Sequence, residues 1–146
     1  MLKRIICKRP AGYPYEELFR VPPNRDMSLC IIPVDPGKIL DFAYQMPGYP
    51  NPYRLPHLQT KSFDWLEVPF VEVNASGCVK FIDGRHRPLV LSERGYRSIP
   101  YITLQVHAET LLDQVGTDLQ ILLEEYDLSA LSIPLLGATS PSPVPE

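Results

Sequence analysis

The chain has 146 residues, of which 45% are hydrophobic and 21% charged, with 17 prolines and three cysteines. This fits one globular domain whose core is large enough to need no disulfide staples. No stretch approaches the ~18 apolar residues that span a bilayer, and the basic start MLKRIICK falls short of the apolar run of about 7–15 residues in a signal peptide. Cys7, Cys30 and Cys78 form no C-x-x-C pair, so a zinc site and a secreted disulfide framework are both disfavoured and a reduced cytoplasm is the expected location. The net charge of −3 conceals a split. All 14 cations lie in residues 1–97 with 10 acids, whereas residues 98–146 carry 7 acids and neither Lys nor Arg. A basic body with an acidic end suits a protein that binds an anion. It equally suits a solvated acidic helix.

Prolines from Pro10 to Pro56 forbid any long helix in the first half. Leu29–Ile32 is a short apolar run and reads as a buried strand. Pro36–Gln45 reads as a helix capped by Asp35, with Ile39, Phe42, Ala43 and Met46 on its core stripe. Residues 47–60 have turn chemistry and aromatics without a period, and read as a packed loop. Residues 61–67 read as one helical turn presenting Phe63 with Trp65 or Leu66. Phe70–Asn74 and Cys78–Asp83, joined through Ser76-Gly77, read as a β-hairpin.

After the hairpin, Pro88–Arg94 reads as a short helix ended by Gly95. Ile99–Val106 reads as a strand with Ile102, Leu104 and Val106 inward. Strand, helix and strand over 78–106 form a β-α-β unit, whose two strands are usually parallel. Residues 108–126 read as a helix broken at Gly116 and restarted by a Thr117–Gln120 capping box. A single domain over 1–128 with a disordered Ser/Pro-rich tail over 129–146 follows. The expected fold class is α/β (α+β): a mixed sheet with a hairpin, a β-α-β unit and C-terminal helices.

The stretch that carries chemistry is Asp83-Gly84-Arg85-His86-Arg87, where a strand turns into a helix. Helix starts favour anions, arginine forks match phosphate oxygens, and Gly84 permits close backbone approach. Pro88 removes one helix-end N–H, so side chains must supply more of the binding. Gly84, Arg85, His86 and Arg87 are therefore the candidate phosphate ligands. His86 and Asp83 are the candidate catalytic groups, the first as general acid, the second, or Asp35 or Glu72, as a holder of Mg²⁺. The competing reading pairs Arg85 and Arg87 with Asp83, Glu93 or the acidic C-terminal segment.

Other residues are weaker candidates. His57 and His107 have no partner at metal-ligand spacing and read as structural or surface residues. Ser92 and Ser98 lack a hydrolase context. Tyr44, Tyr49 and Tyr53 beside Arg54 read as loop packing or as base-stacking groups. Lys3, Arg4, Lys8 and Arg9 read as a solvated end or a set of nucleic-acid phosphate contacts.

From Phe81 to Pro100 the pattern F-x-D-G-R-H-R-x-x-x-L-x-x-x-G-x-x-x-I-P resembles the signature of the ParB/sulfiredoxin-like superfamily. Ile32-Pro33-Val34-Asp35 and Asn51-Pro52-Tyr53-Arg54 are similar to its upstream segments, so the resemblance covers about 29–107. It implies a nucleotide or nucleic-acid phosphate ligand, with ATP or CTP and Mg²⁺ as cofactors, and ATPase or DNase activity. Arg85 stands where sulfiredoxins carry the reactive cysteine, which removes thiol chemistry. The chain is too short for the DNA-binding and dimerisation domains of a segregation protein. Its layout is most similar to the plasmid fertility-inhibition proteins, which implies nucleotide or DNA partners. The alternative is a non-catalytic module that keeps the fold and binds a protein partner.

Overall fold

The computed structural model describes residues 2–10, 28–82 and 84–137. They form a mixed α+β fold with strands β1 (Ile5–Lys8), β2 (Leu29–Val34), β3 (Trp65–Glu67), β4 (Val71–Val73), β5 (Val79–Phe81), β6 (Ile99–Leu104) and β7 (Tyr126–Asp127). The helices are α1 (Pro36–Ala43), α2 (Arg54–Gln59), α3 (Arg87–Glu93), α4 (Gln105–Val115) and α5 (Leu119–Glu125). No helix among the described residues is long and apolar enough to cross a membrane.

The centre is the antiparallel pair β2–β6, in register from Leu29↔Leu104 to Val34↔Ile99. The hairpin β4–β5 joins it through a parallel bridge, Phe70↔Ile102, in which Ile102 N–H donates to the Pro69 carbonyl at 2.9 Å. All six residues of β6 are buried, so both its faces are covered. That arrangement needs a continuous apolar run rather than alternation. It corrects the expected inward Val106, which lies on α4 and is exposed. The expected β-α-β unit is corrected too: β5 and β6 are not neighbours, and the parallel partner of β6 is the Phe70 end of the hairpin.

Local signals held where capping chemistry is explicit. Asp35 Oδ1 accepts the N–H groups of Gly37 and Lys38, and Pro36 opens α1. Asn74 Oδ1 closes the hairpin turn on Ser76 and Cys78. Gly95, at φ +94°, ends α3 as expected. The second C-terminal helix is capped one residue later than expected, by Asp118 on Gln120 N–H.

Three segments differ from expectation. Residues 65–67 are a strand, not a helical turn, paired in parallel with β1 as Ile6↔Trp65 to Lys8↔Glu67, with β7 on the other side of β1. Residues 54–59, read as loop, are helical; Asn51 Oδ1 accepts from Tyr53 and Arg54 N–H, the Asn51 carbonyl accepts from Leu55 N–H, and Pro52 sits at the start. Residues 129–137 are not a free tail. Leu131 and Ile133 are buried, and the 134–136 backbone pairs with Ile31 through two 2.9 Å bonds. Residues 138–146 lie outside the described residues.

Candidate anion-binding site

Two segments face each other across a cavity of about 490 Å³. One is the turn from Ile82 into α3, which contributes Gly84, Arg85, His86 and Arg87; the other is α2 and the residue before it, contributing Tyr53, Arg54, His57 and Leu58. Four of the residues named from the sequence are thus brought together. Asp83 lies outside the described residues. Tyr53, Arg54 and His57 complete the opposite wall. The signal for them was Asn51 followed by Pro52, turn chemistry just ahead of the helix, with Asn51 Oδ1 accepting the Tyr53 and Arg54 N–H groups.

Gly84 is required twice. Its φ is +84°, and a Cβ there would stand 2.2 Å from Pro69 Cβ and 3.0 Å from Arg87 Nη1. The bare backbone therefore leaves the space that the Arg87 guanidinium crosses. Tyr101 fixes the turn by donating its hydroxyl to the Gly84 carbonyl at 2.9 Å.

The walls are cationic. Three arginines and two histidines line the cavity, and no carboxylate does so among the described residues. Neither Arg54 nor Arg85 has a carboxylate within 4.0 Å among those residues. Arg85 Nη1 instead rests 4.0 Å from Met46 Sδ. The helix contributes little, because α3 is seven residues long, with Pro88 in its first turn.

His86 is turned inward. It is 4% exposed, and its Nε2 accepts the Asn51 N–H at 2.9 Å, which assigns the ring proton to Nδ1. Burial, then Arg85 and Arg54, hold its pKa below the ordinary 6.5. The Tyr49 ring packs on the imidazole at 4.9 Å between centroids, and its hydroxyl donates to the Arg85 carbonyl at 2.8 Å. Burial pushes that hydroxyl pKa up, with Tyr44 adding to it.

The remaining candidates have other employment. Asp35 caps α1, and Glu72 pairs with Lys80 at 3.2 Å. Among the described residues no group of three or more His, Cys, Asp or Glu assembles, and Asp83, the expected holder of Mg²⁺, lies outside them. His107 Nδ1 accepts the Val73 N–H at 3.4 Å, whereas His57, read as structural or surface, lines the cavity. Lys8 stacks over Trp65 and Lys3 pairs with Asp64.

No carboxylate among the described residues of the acidic C-terminal segment lies within 4.0 Å of Arg54 or Arg85. Glu124 and Glu125 pair with Arg97 at 3.6 and 3.8 Å. Glu125, itself buried, also accepts the Arg97 N–H at 3.0 Å and the Ser98 hydroxyl at 2.5 Å. This node was missed from the sequence, where Glu125 looks like any other charge on a helix.

No protein-family model, curated protein or solved structure matches this chain. The reading of the site therefore stands on its own geometry. That geometry is a rigid turn and a short helix presenting guanidinium groups to one space, suited to an anion with several oxygens.

Proposed function

We propose that the chain binds the phosphate groups of a nucleotide or a nucleic acid between α2 and the Gly84–Arg87 turn. The observation that carries this reading is the convergence of Arg54, Arg85 and Arg87 on one cavity with no carboxylate in its described walls. Arg54 and Arg85, with no carboxylate within 4.0 Å among the described residues, repel one another, and a polyanion relieves that repulsion. Tyr53, 88% exposed at the rim of the cavity, offers a ring for a base. The Phe81–Pro100 signature supports the same ligand class through its resemblance to the ParB/sulfiredoxin-like superfamily and its fertility-inhibition branch.

The reading is one of recognition before turnover. His86 Nε2 is engaged by Asn51, and no described wall residue is a carboxylate able to carry a metal or activate water. The same observation favours the second reading, a binding module without catalysis whose partner is a protein. Thermal unfolding with ATP, CTP or GTP and Mg²⁺, and with DNA at low salt, separates the two. Stabilisation by one of these ligands, abolished in Arg85→Ala, supports the phosphate reading. Absence of a shift with every ligand overturns it and leaves the protein-partner reading.

A further inference from the structure

We propose that His86 is the positioning residue of this cavity: its neutral imidazole holds the Asn51 amide, and through Asn51 sets where α2 presents Arg54 to Arg85. The inference rests on the anion-pocket reading and adds a pH-dependent regulation to it.

Asn51 anchors the turn that leads into α2. Its amide donates to His86 Nε2 at 2.9 Å, its Oδ1 accepts from Tyr53 at 2.8 Å and Arg54 at 3.2 Å, and its carbonyl accepts from Leu55 at 3.0 Å. One imidazole nitrogen therefore fixes the residue that fixes the helix. A second link runs the other way, from the Tyr49 hydroxyl to the Arg85 carbonyl, with the Tyr49 ring against His86. The two walls are clasped by these reciprocal contacts.

The clasp works in one protonation state. A neutral imidazole protonated at Nδ1 accepts at Nε2, whereas an imidazolium has a hydrogen on both nitrogens. It would then set N–H against the Asn51 N–H. The groups facing the ring reinforce the neutral form: Arg85 from its own turn, Arg54 from α2 and the uncharged Tyr49 from the connecting loop. Acidification thus releases α2 and separates Arg54 from Arg85, weakening the pocket just as the protein gains positive charge. An arginine pocket without the clasp would hold its affinity for a strong-acid anion over the same range.

The first measurement needs no ligand. The protection factor of the Asn51 amide, its intrinsic exchange rate at the same pH divided by the observed one, should fall by about tenfold in His86→Ala, the size expected when one hydrogen bond is lost, and by a similar factor in the wild type on acidification from about pH 8 to about pH 5. His86→Gln, whose side-chain oxygen can take the place of Nε2, should keep protection near the wild type's value at about pH 8 over the whole range. The second measurement titrates ATP and oligothymidylate into wild type and His86→Gln across that range, so that the ligands' own ionisation cancels between proteins. Affinity should fall with acid more steeply in the wild type. Unchanged Asn51 protection in His86→Ala, or a His86→Gln that behaves as the alanine variant does, overturns the clasp. If the exchange results hold while neither ligand binds the wild type, the clasp stands and the anion-pocket reading fails.

Discussion

The cavity and the Arg97 corner treat arginine in opposite ways. Arg97 meets Glu124 and Glu125, and the buried Glu125 carboxylate also collects the Arg97 amide and the Ser98 hydroxyl. Across the molecule, Arg54 and Arg85 face a cavity without a carboxylate within reach among the described residues. Charges that hold a fold together are neutralised within it. Glu124 and Glu125 of the acidic C-terminal third thus belong with the architecture, and the proposed recognition falls to the arginines of the basic body.

The largest expected effect breaks the neutralised corner. Glu125→Ala strands the Arg97 amide and the buried Ser98 hydroxyl, each unsatisfied group costing about 1–3 kcal/mol, and should cost roughly 2–5 kcal/mol in denaturant unfolding, while the folded fraction keeps its ligand response. Gly84→Ala should cost about 2–3 kcal/mol, because the new methyl meets Pro69 in a backbone conformation that disfavours side chains. It should also weaken any ligand, since the Arg87 guanidinium uses the same space. Arg54→Ala and Arg85→Ala reverse the pattern of Glu125→Ala. Stability should move by no more than ~0.5 kcal/mol, and affinity by calorimetric titration should drop about 10–100-fold, as charged hydrogen bonds are lost.

A smaller effect comes from His86. Its folded pKa lies below 6.5, so below that pH the unfolded chain binds the proton more readily. Stability should therefore be level above 6.5 and decline as pH falls through it, with the slope reduced in His86→Gln. The smallest effect is chemical. Burial pushes the Cys7 thiol up to about 12 and Cys30 up to about 11, whereas Cys78 is exposed on the hairpin turn. A thiolate-directed alkylating reagent should label Cys78 in the native protein and reach the other two on unfolding.

The comparison also explains what could be read in advance. The α1 cap, the hairpin turn, the Gly95 stop and the cationic turn are local: each is written within a few consecutive residues. The pairing of β1 with β3 is not, because three-residue strands carry no period and Trp65 gains its partner from Ile6, far away in the chain. Proline content concealed α2, since Pro56 argues against a helix while Asn51 and Pro52 argue for one. The sequence pattern therefore places Arg54 in a loop, away from the arginines it faces. Glu125 was illegible for a different reason. Nothing in Leu-Leu-Glu-Glu-Tyr tells which glutamate is buried until Ser98 and Arg97 are placed beside it.

The segment from Leu131 to Leu136 has a further consequence for solution behaviour. By occupying the outer side of β2 through Ile31, it consumes hydrogen-bonding groups that would otherwise template another strand. What composition alone would class as an unstructured terminus is thus a built-in guard against edge-to-edge aggregation.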